Sequence, residues 1–276
     1  MAALLAVVSS LMWGAADFLG GVMTRRLPAL AVYGLSQAVG FVFLVIVATA
    51  VGGWSADPGY WPWAIGASLL GMCAMLAFYQ ALSIGPMGIV APLVALSVLV
   101  PVAVSLLRGE MPEPLQVLGI IVAVVGILLA SGPELSGAES AKPLILAGVA
   151  AVGFGGMFVL MAEGSKHDPL MTMTGMRVTT VLIYAVIFIV ARNVGGAQPR
   201  DALPLVVIGV LDAGANVMFG FATTLGLLSV TAVLGDLYPV VTAVLAAIFL
   251  RERLRGVQYA GVAAALTGVL LIAAGG

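Results

Sequence analysis

Four ionisable side chains stand where lipid should be. Asp17, Arg177, Asp212 and Asp236 each fall inside an apolar run long enough to cross a bilayer. A charge at the middle of a membrane helix costs about 2.5–3.5 kcal/mol on insertion scales, so each is a candidate for handling an ion or a substrate. Asp236 carries a second cost. It lies in Leu-Gly-Asp-Leu-Tyr-Pro (Leu234–Pro239), where Pro239 removes a backbone hydrogen bond that lipid cannot replace. The freed carbonyl must face protein or a wet cavity. Carboxylates gathered in a low-dielectric cavity suit proton coupling, and Asp17, Asp212 and Asp236, with Arg177, are the candidates for it.

The rise of 1.5 Å per residue sets depths, with Asp17 and Asp212 about 6 and about 3 Å from mid-membrane toward one face. Arg177 and Asp236 fall roughly 4–6 Å toward the other face. One layer with two acids and one with an acid and a base are therefore expected. Arg177 is either the charge partner of Asp236 or joins it in holding a zwitterionic substrate. The structural alternatives are a snorkelling Arg177, and Asp17 or Asp212 bonded to backbone at a helix distortion. Asn216, one helical turn after Asp212, shares its face. Trp13, Phe154 and Tyr238 lie away from the interfacial belt where aromatic residues usually anchor, and would shape a pocket, Tyr238 bringing a hydroxyl that needs a partner. Tyr79 and Gln80, near the end of a third apolar run, complete the candidate substrate contacts together with Pro92. Glu110 and Glu252 precede the last helix of each half and read as caps or membrane-edge groups. His167, the single histidine, reads as a solvated loop residue.

These side chains need elements to carry them. Of 276 residues 62% are apolar and 8% charged, and the mean hydropathy is +1.21. That composition belongs to a polytopic membrane protein. The net charge of −1 gives no footprint for nucleic acid. Cys73 is alone, so no internal disulfide and no cysteine–histidine metal cluster is expected, and no cofactor motif occurs. The run Ala2–Gly21 lacks a basic start and reads as an uncleaved first span. Allowing about 20 apolar residues per crossing gives ten spans, roughly 2–22, 29–51, 61–83, 87–107, 115–132, 142–162, 169–191, 203–226, 230–250 and 256–274.

The chain repeats. Trp13-Gly14 falls on Phe154-Gly155 and Pro28 on Pro169, while Gly66, Gly71, Met75 and Phe78 fall on Gly209, Gly214, Met218 and Phe221. The pattern Glu-x5-Gln-x2-Gly-x6-Gly occurs at Glu110, Gln116, Gly119, Gly126 and again at Glu252, Gln258, Gly261, Gly268. Each half holds five spans, and an odd number forces the second half into the membrane upside down. The fold expected is all-α: ten transmembrane helices as two inverted five-helix repeats around a central cavity, with repeats over residues 1–132 and 142–276 and a connecting loop over 133–141. Interrupted helices at matching places in the two halves point to the substrate site. Here these are spans 4 and 9, broken by Pro92, Pro101 and Gly235–Pro239. The glycine stripes of spans 5 and 10 are small-residue faces, open to close helix packing or to a homodimer contact.

Together, Trp13-Gly14, the ends Leu107-Arg108-Gly109-Glu110 and Leu250-Arg251-Glu252-Arg253, and the doubled five-span pattern resemble the EamA type of the drug/metabolite transporter superfamily. The resemblance covers essentially the whole chain. It implies secondary transport of small metabolites, amino acids or drugs, often as export, through a cavity lined by helices 1, 3, 4, 6, 8 and 9, with 5 and 10 peripheral. The family often has an arginine early in helices 2 and 7; Arg177 fills the second place, while Ser36 and Gln37 stand in the first. Many members keep both termini in the cytoplasm. Here the loops after spans 1, 5, 7 and 9 carry eight Lys and Arg against two in the others, which places the termini outside the cell membrane. The partners expected are a small-molecule substrate and the bilayer. A passive channel is the alternative. An intramembrane enzyme is disfavoured, because no paired acids for magnesium, Gly-x-Ser-x-Gly or His-Glu-x-x-His occur, and without a phosphate-binding loop nucleotide hydrolysis is not the power source.

Overall fold

The computed structural model describes residues 1–84, 90, 93–130, 141–191, 196–250 and 255–275. Pro92, Arg192, Arg251, Glu252, Arg253, the side chain of Tyr79 and nearly all of the loop expected at 133–141 lie outside the described residues. Every long element is helical. In the first half these are α1 (Ala2–Thr24), α2 (Ala29–Ala50), α3 (Trp61–Ile84), α4 (Leu93–Leu107) and α5 (Pro114–Ala130). In the second half they are α6 (Lys142–Ser165), α7 (Pro169–Ala191), α8 (Ala202–Leu225), α9 (Leu228–Gly235), α10 (Tyr238–Phe249) and α11 (Gly256–Ala274). Among the described residues, with α9 and α10 counted as one broken span, eight segments are long and apolar enough to cross a membrane, and the shorter apolar α4 and α5 bring the number to ten. Helix starts follow local chemistry. Asp168 accepts a hydrogen bond from the Met171 amide at 2.7 Å, and Pro169 stands directly after it, where a missing N–H costs nothing.

The interruptions match. α9 stops at Gly235 and α10 begins at Tyr238 with Pro239 in its first turn. An offset of 141 residues carries Leu96 to Leu237 and Val98 to Pro239, and Leu96–Val98 is a 3-10 turn within α4. Two broken helices, one per half, thus occupy equivalent places.

Helix pairing shows how the halves interlock. α1 packs along α8, its counterpart α6 along α3, and α5 along α11. The closest contacts obey the pseudo-two-fold relation. A Cβ on Gly126 would lie 2.3 Å from the Ala265 nitrogen, and one on Gly268 2.5 Å from the Ala123 nitrogen. Gly261 meets Ala130 and Gly119 meets Ile272 in the same way, at 2.2 and 2.8 Å from backbone nitrogens. An offset of 142 exchanges the members of each pair. Near the middle of the fold, a Cβ on Gly14 would come within 2.9 Å of the Tyr238 carbonyl, and one on Gly155 within 2.4 Å of the Ser97 carbonyl. Lipid supplies no hydrophobic force between helices, so backbone-close packing at small residues holds such a bundle. The outer faces carry the large apolar side chains: Leu107, Ile189 and Leu270 are 88%, 73% and 70% exposed. The glycine stripes, candidates for a homodimer face on sequence grounds, are occupied by the intramolecular contact of α5 with α11.

Gly126→Val and Gly261→Val are expected to lower the thermal midpoint of the detergent-purified protein, as overpacking of about 1–3 kcal/mol or more requires. Gly148→Val, at a position with open space around it, leaves the midpoint unchanged. Equal midpoints for all three would contradict the backbone contact.

Candidate functional site

The interior site starts at Arg177, buried at 6% exposure on α7. Its guanidinium donates to Asp212 Oδ2 at 2.6 Å and to Gln37 Oε1. Gln37 Nε2 donates to the same Asp212 oxygen at 3.0 Å, closing a triangle between α2, α7 and α8. Asn216 Nδ2 donates to the Asp212 carbonyl at 2.5 Å and lies 3.4 Å from Asp212 Oδ1, so the shared helical face is borne out. Gly40 lets α2 approach α8 beside this triangle, where a Cβ would come within 3.0 Å of the Gly209 carbonyl.

Arg177 is therefore paired with Asp212, not with Asp236 as the depth reasoning expected. The two Cα atoms differ by about 7 Å in depth, given the rise per residue, which one arginine side chain covers. Depth along an axis also says nothing of which neighbour a side chain faces. Gln37 was named from its register but not counted among the site residues: at an offset of 141 the counterpart of Arg177 is Ser36, and Gln37 stands next to it.

Asp236 sits at the break between α9 and α10, 1% exposed, and neither carboxylate oxygen has a hydrogen-bond partner. Asp17, on α1, is exposed and within electrostatic reach of Asp212. Tyr238 lies in the fields of both Asp17 and Asp236. The interior charges thus form one succession, Arg177–Asp212, Asp17, Tyr238, Asp236, exposed at Asp17 and buried at Asp236. Thr242 Oγ1, missed in the sequence, donates within this zone, lying 2.9 Å from the Tyr238 carbonyl and 3.1 Å from that of Gly14.

Aromatic rings wall the closed end. Trp13 lies 5.6 Å from both Phe158 and Phe219 and 6.3 Å from Tyr238 between ring centroids, and Phe158 and Phe219 are 5.1 Å apart. A Cβ on Gly235 would touch Phe219 at 3.0 Å, which brings the helix break against this cluster. Phe154 is elsewhere: it meets Phe78 edge-on at 6.4 Å in a satellite cluster with Val90 and Val94. Its place at Trp13 is taken by Phe158, one turn further along the same helix face. Gln80 is exposed. His167 lies 3.9 Å from the Asp57 carboxylate in the loop region, as a solvated residue should. Glu110 is a cap, though not of its own half's last helix. It accepts from the Leu228 and Ser229 amides at 2.9 and 3.0 Å, so it caps α9. Among the described residues no group of three or more His, Cys, Asp or Glu could hold a metal ion.

The model of the EamA-like transporter family matches residues 1–132 and, separately, 141–274. The chain belongs to the EamA-like transporter family. It is a multi-pass membrane transporter of the drug/metabolite type, with one family unit in each half. A protein known from a crystal structure is similar over 98% of this chain and 95% of its own, with a TM-score of 0.80 at 20% identity, which shows a common fold. No curated protein matches the chain. Family membership accounts for the doubled unit.

Removing one member of a buried ion pair costs about 3–5 kcal/mol, whereas removing a buried carboxylate that has no partner relieves a penalty. Arg177→Ala and Asp212→Ala are each expected to lower the thermal midpoint sharply, and the double variant by less than the sum. Asp236→Asn holds or raises it. A midpoint for Asp236→Asn as low as that of Asp212→Ala would contradict the assignment.

Proposed function

We propose that the chain is a secondary active transporter that moves small metabolites, amino acids or drugs by alternating access, in the direction of export, coupled to protons or to exchange. The observation that carries this reading is Asp236: a fully buried carboxylate without a hydrogen-bond partner, at a helix break mirrored by the 3-10 turn of α4. Arg177 is already neutralised by Asp212, so within this succession Asp17 and Asp236 have no protein cation of their own. A proton or the positive end of a substrate supplies the missing charge, and it arrives and leaves as access alternates.

Substrate contacts follow the same zone: Trp13, Asp17, Asp212, Asn216, Asp236 and Tyr238, with Gln37, Phe158 and Phe219 added. Rocking of one repeat against the other about the α4 and α9–α10 breaks exposes the zone to each side in turn. The basic loops are taken as cytoplasmic, with both termini outside the cell membrane. The exposed Asp17 then supports a state open to the cytoplasm, as an exporter needs for loading.

Proteoliposomes test the reading. Saturable counterflow is expected for a substrate found by thermal-shift screening, together with accumulation driven by a pH gradient. Asp236→Asn loses the gradient-driven accumulation and keeps exchange. Non-saturating flux, equal in wild type and Asp236→Asn, would favour a passive channel instead.

A further inference from the structure

A second charged cluster lies at the opposite end of the bundle from the exposed Asp17, and the transport reading leaves it unused. Ser105 and Arg108 from the end of α4, Glu110 beyond it, Glu163 on α6 with the following Lys166, Thr223 on α8 and Leu228 on α9 line a cleft of about 160 Å³. Its charges have distinct states. Glu163, 13% exposed, receives both Arg108 and Lys166, the latter at 2.9 Å. The two cations are 51% and 64% exposed and keep donors to spare, since a guanidinium carries five N–H groups and an ammonium three. Glu110 is pinned by two amides and by the Ser229 hydroxyl at 2.8 Å, leaving a lone pair for another donor. Ser105 Oγ is buried with no hydrogen-bond partner.

We propose that this cleft binds a small zwitterion with its ammonium and carboxylate a few bonds apart, the chemical class of free α-amino acids. Two cations and two carboxylates sum to zero, so an ion of one sign gains from one pair and is repelled by the other. A zwitterion gains from both. Its carboxylate meets Arg108, Lys166 and the Ser105 hydroxyl, and its ammonium meets Glu110 and Glu163. Leu228 is eight residues before Asp236, or about 12 Å along α9, so the site is separate from the interior acids. The Arg108–Glu163 pair that joins the end of α4 to α6 stays in place, because the ligand uses the donors it leaves over.

Isothermal titration of the full-length purified protein with serine, serinamide and N-acetylserine tests the site. Serine is expected to bind saturably, with the cationic and anionic analogues about tenfold or more weaker, as loss of a charge-assisted contact implies. Lys166→Gln and Ser105→Ala each weaken serine binding, and Thr267→Ala, at an exposed position on α11, leaves it unchanged. The proposal is overturned if serine does not bind, or if the three ligands bind alike. It is equally overturned if Asp236→Asn abolishes binding while Lys166→Gln does not, because the zwitterion then sits in the interior. None of these outcomes depends on whether the protein transports serine.

Discussion

Two chains of helix can be laid against each other in lipid only where their backbones nearly touch. In this protein that constraint is met at Gly126 against Ala265 and at the exchanged pair Gly268 against Ala123, with Gly261 and Gly119 one turn or two away. These contacts are backbone to backbone, and a single added carbon has no room. They fix α5 on α11 and so the axis about which the halves are related. Gly14 of α1 against α10 and Gly155 of α6 against α4 repeat the device beside the two helix breaks. The breaks are thereby held at the middle of the fold, where an interrupted helix can expose carbonyls to protein rather than to hydrocarbon.

The frame is symmetric and its chemistry is not. Asp236 has Ala95 as its counterpart, Tyr238 has Ser97, and Asp17 has Phe158, all at an offset of 141 residues. Arg177 faces its own counterpart region, since Gln37 bonds to it directly across the pseudo-axis. One half thus supplies most of the charge and the other supplies a polar but neutral complement. A strictly symmetric pair would place two arginines in contact in low dielectric, where like charges repel strongly. Gln37 avoids this, accepting from Arg177 and donating to Asp212 with the same amide group. The capping of α9 by Glu110 adds a link between repeats at the far face, so the bundle is tied at its closed end by ion pairs and through its length by glycines.

Much of this was legible in the residues. Span lengths follow from hydropathy, the repeat from the spacing of Glu, Gln and Gly, and the break in the ninth span from Gly235 and Pro239. The shared face of Asp212 and Asn216 follows from helical geometry alone. Three features were not legible, for one physical reason. Spacing gives depth along a helix, but which neighbour a side chain faces depends on how whole helices are rotated and paired. Hence Arg177 was matched in depth with Asp236 and found bonded to Asp212. Phe154 and Phe158 share a helix face about one turn apart, and only Phe158 meets Trp13. Glu110 caps a helix as its type predicts, but the helix it reaches is α9, which is distant in sequence.

The account turns on the interior charges meeting water from one side only. The direct measurement is thiol labelling in a Cys73→Ser background, with Asp17→Cys and Asp236→Cys treated in sealed vesicles of known orientation. A membrane-impermeant maleimide is predicted to label Asp17→Cys from the face that carries Arg25 and Arg26, and to leave Asp236→Cys unmodified from either face. If Asp17→Cys reacts only with a lipid-soluble maleimide, its side chain faces hydrocarbon, the succession of charges has no opening, and the account fails.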